Sequence, residues 1–174
     1  MTEQRRGVTL IGMPGAGKST LGVLLSKRLA LDFVDSDLAI QVREGRTLQQ
    51  IIDAGGHLRL REIEAAVLLG IDPHGRVVAT GGSAIYSDAA MRHLGAGSTI
   101  VYLDVPLAEL RRRITDYDTR GIARRPEQGF EELFAERTRL YQRYAAIRID
   151  CANLGQEQLL ERITAALLSG SQPR

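Results

Sequence analysis

Short apolar runs alternate with amphipathic stretches along the whole chain. The runs at residues 8–11, 77–80 and 99–103 are rich in β-branched side chains, which is typical of buried strands. Shorter runs at residues 33–35 and 147–150 predict two further strands. Because strands that alternate with helices form parallel sheets covered by those helices, the pattern predicts an α/β sandwich with a mostly parallel sheet.

The amphipathic stretches carry their own boundary signals. Leucines recur at helical spacing between residues 21 and 29. Thr47 is placed to cap a helix that Gly55 and Gly56 break, Ser87 caps another, and Pro106 starts a third. The chain has 174 residues and no linker long enough to divide it, so its length predicts one domain. Further helices are predicted at residues 88–94, 130–144 and 158–168, before a tail at 169–174 that is expected to fray.

The segment after the first strand has the sequence GMPGAGKST at residues 12–20 and fits the phosphate-binding pattern G-x-x-x-x-G-K-[ST]. Its glycines let consecutive N–H groups turn towards phosphate oxygens, and the next helix begins with its positive end facing them. Lys18 can reach the β- and γ-phosphates, and the Ser19 hydroxyl can bind Mg²⁺. The strand–loop–helix order disfavours an ordinary glycine-rich turn. The residues expected to hold ATP are Gly12, Gly15, Ala16, Gly17, Lys18, Ser19 and Thr20.

Two carboxylates follow the second predicted strand. Asp35 and Asp37 are two residues apart, so on an extended segment both would point to one side. At the carboxyl end of a strand they could serve Mg²⁺ and a substrate hydroxyl. The alternative is that Ser36 or Asp37 caps the next helix. The phosphate-binding loop upstream favours the functional interpretation.

Two later segments are also candidates for the site. Gly81 and Gly82 follow a strand, where they could let a ligand approach the backbone or form an ordinary turn. Residues 115–129 break the helical periodicity and contain Arg120, Arg124 and Arg125. A long polar stretch in a compact domain is often a functional lid, whose arginines can neutralise the charge on a transferring phosphoryl group. A solvated loop is the alternative.

Composition restricts the classes of function. A content of 44% hydrophobic and 25% charged residues is ordinary for a globular protein, and a formal charge of +2 does not require a polyanionic partner. The single cysteine, Cys151, excludes a disulfide framework. No apolar run approaches the length of a membrane span, and the first strand follows the start too closely for a signal peptide. We therefore expect a cytoplasmic protein without a membrane partner.

Competing functions make different demands on the sequence. A GTPase would need an Asn-Lys-x-Asp segment, and the only asparagine, Asn153, is followed by Leu154, which excludes that class. The arginines of residues 111–148 make a nucleic-acid-binding module an alternative. Three Phe, five Tyr and no Trp offer few stacking platforms for bases, so no nucleic-acid partner is expected. A kinase with a nucleotide acceptor stays open, because fold alone does not fix function.

In their order, these segments resemble the shikimate kinase family over nearly the whole chain, from Val8 to about Leu168. The phosphate-binding loop is shared by many enzymes, whereas the ordered set is far more specific. The resemblance implies a P-loop NTPase fold of three layers, α/β/α, with a five-stranded parallel sheet of the nucleoside monophosphate kinase type. It is carried by residues 12–20, residues 33–37, Arg61 with Glu64, residues 79–82 and the run Glu136-Arg137-Thr138-Arg139-Leu140-Tyr141.

The resemblance also implies an activity and residue roles. ATP would be the donor and the 3-hydroxyl of shikimate the acceptor, so we expect a monomer that binds a small molecule bearing a carboxylate and a hydroxyl. Asp35 matches a position that helps hold Mg²⁺, and Asp37 matches the carboxylate nearest the reacting oxygen. Arg61 and Arg137 match a pair that binds the substrate carboxylate, which suits paired guanidinium hydrogen bonds. The remaining matches are Gly81 and Gly82, which contact the substrate through the backbone, and Arg113, which lies against adenine.

The chain departs from the family pattern around the acceptor and the lid. Ser83 stands where the family has a third glycine after Gly81 and Gly82, and its hydroxyl could crowd a ring or bind another polar group. Leu60 replaces the aromatic residue that usually precedes the first substrate arginine. By its distance along the sequence from Arg113, Arg120 matches the family's lid arginine, whereas the local sequence around Arg125 is the better match. Both are therefore catalytic candidates beside Lys18 and Asp37. Another small hydroxy acid, such as homoserine, would use the same arginines, and the acceptor stays open between it and shikimate.

Overall fold

A five-stranded parallel sheet forms the centre of the computed structural model, which describes residues 5–170. The strands are β1 (Gly7–Ile11), β2 (Asp32–Asp35), β3 (Arg76–Ala79), β4 (Ser98–Asp104) and β5 (Ile147–Asp150). They are ordered β2-β3-β1-β4-β5, and each neighbouring pair is parallel. The predicted α/β fold with a parallel sheet is confirmed.

Helices connect the strands and pack around the sheet. The last of them continues through Gly170, two residues into the tail predicted to fray, and residues 171–174 lie outside the described residues. None of the helices between residues 5 and 170 is long and apolar enough to cross a membrane. The helices are α1 (Lys18–Leu29), α2 (Ser36–Glu44), α3 (Leu48–Leu69), α4 (Asp88–Gly97), α5 (Leu107–Arg113), α6 (Phe130–Tyr144) and α7 (Gln156–Gly170), with a short 3₁₀ helix at Ala84–Tyr86.

β1 lies in the middle of the sheet, and all five of its residues are buried. Val8 is paired with Val77 of β3 on one side and with Thr99 of β4 on the other. A strand covered by helices on both faces needs apolar residues throughout rather than at alternate positions. This explains why β1, β3 and β4 appear in the sequence as continuous apolar runs.

Local signals set the ends of several helices. Thr47 accepts a hydrogen bond from the Gln50 N–H, and the Gln50 side chain accepts one from the Thr47 N–H, which together form a capping box for α3. Ser87 caps α4, as predicted. Gly56 divides α3 at the predicted break, with φ 78° and ψ 172°. Pro106 precedes α5 instead of occupying its first position.

The carboxyl ends of β2, β3 and β1 lie side by side, because these strands are adjacent and parallel. β1 leads into the phosphate-binding loop, β2 ends at Asp35, and β3 leads to Gly81 and Gly82. Ligands of open α/β sheets bind at this edge. The topology therefore brings together three segments that are far apart in the sequence.

Candidate active site

A cavity of about 340 Å³ lies at this edge of the sheet. Its lining joins the phosphate-binding loop to residues from α2, α3, α6 and the segment 120–123. Most of the predicted donor and acceptor residues thus line one space. Those that line it are Gly15, Gly17, Lys18, Ser19, Thr20, Asp37, Gly81, Gly82, Arg113, Arg120 and Arg137. Those that do not line it are Gly12, Ala16, Asp35, Arg61 and Arg125.

Glycines give the phosphate-binding loop its shape. Gly12, Gly15 and Gly17 have φ values of 152°, 80° and 89°, which side chains other than glycine rarely adopt. Gly17 is the N-cap of α1, so the helix begins at Lys18 with its N-terminus at the cavity. Ala16 is only 2% exposed and packs in the core behind the loop. The loop has the arrangement that binds anions at a helix N-terminus.

The Lys18 side chain lies over its own loop. Its Nζ donates hydrogen bonds to the carbonyl oxygens of Gly12, at 2.8 Å, and Met13, at 2.9 Å. Burial lowers the pKa of the ammonium group to about 8, and the negative charge of Asp37 opposes that shift. Because this pKa is above 7, the group stays mainly charged at neutral pH and can attract phosphate.

Asp35 acts both as a helix cap and as a partner of the phosphate-binding loop. Its Oδ1 accepts hydrogen bonds from the N–H groups of Asp37, at 2.9 Å, and Leu38, at 3.2 Å. Its Oδ2 accepts a hydrogen bond from the Ser19 hydroxyl at 2.5 Å. The predicted alternatives are therefore not exclusive, and the cap is Asp35 rather than Ser36 or Asp37.

Asp37 reaches the cavity from the first turn of α2. The prediction that Asp35 and Asp37 share an extended segment is therefore wrong. A β-carbon at Gly81 would collide with Asp37 Oδ1 and with Glu64 Oε1. A side chain at position 81 would therefore have to displace these two carboxylates. Burial raises the pKa of Asp37 above its ordinary value.

Glu64 is a functional candidate to which the sequence assigned no role. Its side chain is 2% exposed and lines the cavity from α3. Burial, followed by the charge of Asp37, raises its pKa to about 7. Its Oε2 accepts a hydrogen bond from the Ser83 hydroxyl, so that hydroxyl is directed to Glu64. Only the spacing of Glu64 one turn after Arg61 marks it among the interleaved charges of this helix.

The two predicted substrate arginines meet at one backbone oxygen. The carbonyl of Ala123 accepts hydrogen bonds from Arg61 Nη2, at 3.2 Å, and from Arg137 Nη2, at 2.7 Å. Arg137 is 1% exposed, and a β-carbon at Gly82 would lie 2.6 Å from its Nη1. Gly82 therefore leaves room for the guanidinium group. We call Arg61 and Arg137 the arginine pair.

Residues 115–129 contain no helix or strand, as predicted, but the middle of the segment faces inward. Ile122 and Ala123 are 8% and 3% exposed, so the segment does have core contacts that its polar composition concealed. Arg120 lines the cavity. Arg125 instead pairs with Glu132 at 2.5 Å and Glu136 at 3.4 Å outside it. Closure of this segment as a lid stays a prediction.

Of the three arginines in this segment, only Arg120 is a residue of the cavity lining. Arg124 pairs with Asp118 at 2.6 Å and lies over the ring of Tyr117. At the phosphate end, Arg113 Nη1 donates a hydrogen bond to the Gly15 carbonyl at 3.2 Å, and the Arg113 side chain pairs with Glu109. The structure thus brings Arg113 and Arg120 to the cavity and leaves Arg124 and Arg125 outside.

Comparisons with known proteins agree with this geometry. A family model described as shikimate kinase matches residues 14–168. A shikimate kinase of Mycobacterium leprae is 37% identical over 165 residues, which cover 91% of this chain and 82% of that protein. The solved structure of shikimate kinase from Acinetobacter baumannii in complex with shikimate is similar with a TM-score of 0.85 at 30% identity, over 97% of this chain and 96% of that one. Thymidylate kinase from Candida albicans, at 14% identity and a TM-score of 0.61 over 97% of this chain and 94% of that one, shares the fold.

Proposed function

This chain belongs to the shikimate kinase family, and on that premise we propose how its cavity transfers the γ-phosphoryl group of ATP to the 3-hydroxyl of shikimate. The activity is that of an ATP-dependent small-molecule kinase in aromatic amino-acid biosynthesis. The observation that carries the proposal is the convergence of the arginine pair on one oxygen atom, beside the phosphate-binding loop. Two guanidinium groups that share an oxygen suit the carboxylate of the acceptor.

Asp37 is the group that we assign to the reacting hydroxyl. It lines the cavity, and its charge acts on Lys18, so it lies between the acceptor end and the phosphate end. Transfer forms a bond from the hydroxyl oxygen to the γ-phosphorus, breaks the bond from that phosphorus to the β–γ bridging oxygen so that ADP leaves, and releases the hydroxyl proton. A carboxylate whose pKa is raised by burial accepts that proton more readily than an exposed one.

Positive charge at the phosphate end would stabilise the transferring group. Lys18 and Arg120 line the cavity, and α1 directs its N-terminus towards it. Phosphoryl transfer depends mainly on positioning and on neutralising charge at the equatorial oxygens. We assign that neutralisation to Lys18 and Arg120 and give Arg113, which contacts Gly15, the face of the adenine ring.

Members of this family use ATP, generally with a divalent metal, and we propose Mg²⁺. Within residues 5–170 no cluster of three His, Cys, Asp or Glu side chains could hold a metal by itself. The adjacent Ser19 hydroxyl and Asp35 carboxylate supply hard oxygen ligands of the kind that Mg²⁺ prefers, and phosphate oxygens complete such sites. The ion would neutralise phosphate charge, while Asp35 continues to cap α2.

Shikimate is favoured over homoserine as the acceptor. The Ser83 hydroxyl was the predicted partner for a polar group of another substrate. In the structure it donates its hydrogen bond to Glu64 instead. We further propose that the protein acts as a cytoplasmic monomer without a nucleic-acid partner, because one chain supplies the residues of the cavity and its exposed arginines are largely paired with acids.

The test is ADP release with shikimate, homoserine, gluconate and nucleoside monophosphates offered separately with ATP and Mg²⁺. We expect turnover with shikimate and a product phosphorylated at the 3-hydroxyl, which phosphorus–proton couplings in the NMR spectrum identify. Turnover with homoserine and none above background with shikimate would overturn the acceptor assignment and leave the kinase assignment standing.

A further inference from the structure

Arg61 is a partly buried cation without an acidic partner. Among residues 5–170 no carboxylate lies within ion-pair distance of it, whereas Arg113 pairs with Glu109 and Arg120 with Asp116. Its Nε is buried and has no hydrogen-bond partner in the described part of the chain. Burial lowers the pKa of its guanidinium group. Besides the Ala123 carbonyl, which accepts a hydrogen bond from Arg61 Nη2, a second uncharged neighbour holds this side chain in place.

The aromatic ring of Tyr86 is that neighbour. Arg61 Cζ lies 3.6 Å from the ring centroid, and Arg137 Cζ lies 5.6 Å from it. Both distances are within the range of cation–π attraction. A guanidinium group over a ring face keeps its N–H donors free in its own plane. Tyr86 can thus stabilise both arginines through its ring.

Tyr86 is itself held in a defined position. It ends the 3₁₀ helix at Ala84–Tyr86, and its hydroxyl donates a hydrogen bond to Glu136 Oε1. Glu136 precedes Arg137 on α6, and its Oε2 accepts a hydrogen bond from Gln128 Nε2 at 2.9 Å. The ring is therefore fixed to the helix that carries Arg137 while it contacts Arg61 from α3.

We propose that Tyr86 is a positioning residue for the acceptor, and that its ring sets the separation and orientation of the arginine pair. Two like charges that share one oxygen repel each other, and a ring face that attracts both offsets that repulsion. Tyr86 does not line the cavity, so it acts through Arg61 and Arg137. The inference rests on the proposed function, because it takes the acceptor carboxylate as the group that the pair binds.

The experiment compares Tyr86→Leu, Tyr86→Phe and a matched control, Tyr144→Leu, with the wild type. Tyr144 also has an arginine over its ring, Arg143 at 5.3 Å, and its hydroxyl also contacts an acid, Asp88, but it lies outside the cavity lining. We expect Tyr86→Leu to raise the KM for shikimate about tenfold, with kcat and the KM for ATP within about twofold of wild type. Tyr86→Phe, which keeps the ring but loses the hydrogen bond to Glu136, should raise this KM less than Tyr86→Leu does, and Tyr144→Leu should stay near the wild type.

Each other outcome contradicts the inference. A Tyr86→Phe variant as weak as Tyr86→Leu would assign the effect to the hydroxyl, and an equal rise in the KM for ATP would assign it to general stability. If thermal melting shows that Tyr86→Leu is unfolded, Tyr86→Met, which keeps the side-chain length without a ring, is measured with the same expectation. A wild type without shikimate turnover overturns the proposed function together with this inference, whereas an active wild type with an insensitive Tyr86→Leu overturns the inference alone.

Discussion

The two ends of the cavity are built in different ways. The proposed phosphate end is formed by the consecutive residues 12–20, and the binding groups that we assign to it are mostly backbone N–H groups presented by glycines. The acceptor end is assembled from side chains of α2, α3 and α6, together with Gly81 and Gly82. One end is thus determined by local backbone conformation and the other by tertiary packing.

This difference has consequences for substitution. Every residue supplies an N–H group, so the phosphate end depends on φ values and on one cation. The acceptor end depends on the identity of buried charged groups, each of which is placed by a different element. Loss of a buried charged partner leaves its neighbours unpaired in a medium of low polarity. We therefore expect the two ends to respond to mutation in distinguishable ways.

The largest effect should come from Lys18→Ala. Its ammonium lies in the phosphate-binding loop, and removing one such charge-stabilising donor should lower kcat by about a thousandfold while the fold persists. Steady-state kinetics with shikimate and ATP measure the change. Lys27→Ala is the matched control, because Lys27 is the only other lysine and is exposed on the same helix. Turnover of Lys18→Ala near that of Lys27→Ala would contradict the assignment.

Arg137→Ala should act on the other end. Removing one partner of a buried charge pair should weaken shikimate binding by about 2–5 kcal/mol, while ATP binding changes little. Isothermal titration with each ligand measures both affinities. Arg139→Ala, an exposed position on the same helix, is the control.

Arg61→Ala should give the same pattern with a smaller loss, because Arg61 is only partly buried. Equal losses for both ligands would remove the distinction between the ends.

Protonation sharpens the comparison, because the acceptor end contains buried acids. The pKa of Glu64 is raised to about 7 from its ordinary 4.5, so the folded state holds this proton more tightly than the unfolded state. Glu64 therefore stabilises the folded state most below pH 4.5. Its contribution to the free energy of unfolding falls by about 3 kcal/mol as the pH rises to about 7. Urea denaturation of wild type and Glu64→Gln measures it. If the difference in free energy of unfolding between the wild type and Glu64→Gln does not change with pH, this prediction is wrong.

The smallest effect should follow Ser83→Ala. Ser83 is 7% exposed, and its hydroxyl donates a hydrogen bond to Glu64, so its removal should cost about 1 kcal/mol of folding free energy. We also expect a modest loss of shikimate affinity and unchanged ATP affinity. Ser26→Ala is the control, since Ser26 is 8% exposed and bonds only locally, to Val23. Improved shikimate binding in Ser83→Ala would show that the hydroxyl crowds the acceptor.

The same contrast explains what the sequence could predict. The strands, the phosphate-binding loop and the helix α6 were predicted because their signals are local: apolar runs, glycine spacing and helical periodicity. Asp35 was harder, because a helix cap and a ligand position use the same residue type and were treated as alternatives. In the structure one oxygen of Asp35 caps α2, and the other accepts a hydrogen bond from Ser19 of the phosphate-binding loop.

The acceptor end could not be derived from spacing. Arg61 and Arg137 were singled out by family resemblance alone, and nothing near Ala123 indicates that its carbonyl binds both. For Gly81 the sequence predicts either close approach of a ligand or an ordinary turn, and the nearest neighbours of a β-carbon there are Asp37 and Glu64. These contacts join segments distant in the chain, so they become visible only when the tertiary structure places them together.

On the proposed role of the arginine pair, its contact with the Ala123 carbonyl would make acceptor recognition an exchange reaction. An incoming molecule replaces an oxygen that the protein already supplies, so its affinity reflects only what it adds beyond that internal competitor. A neutral amide or ester offers the pair an oxygen like the one it displaces and gains little. A carboxylate adds a full negative charge, which two guanidinium groups bind more strongly than a carbonyl dipole. Under the proposed function, the protein's own backbone would thus set a threshold that selects acids over their neutral analogues.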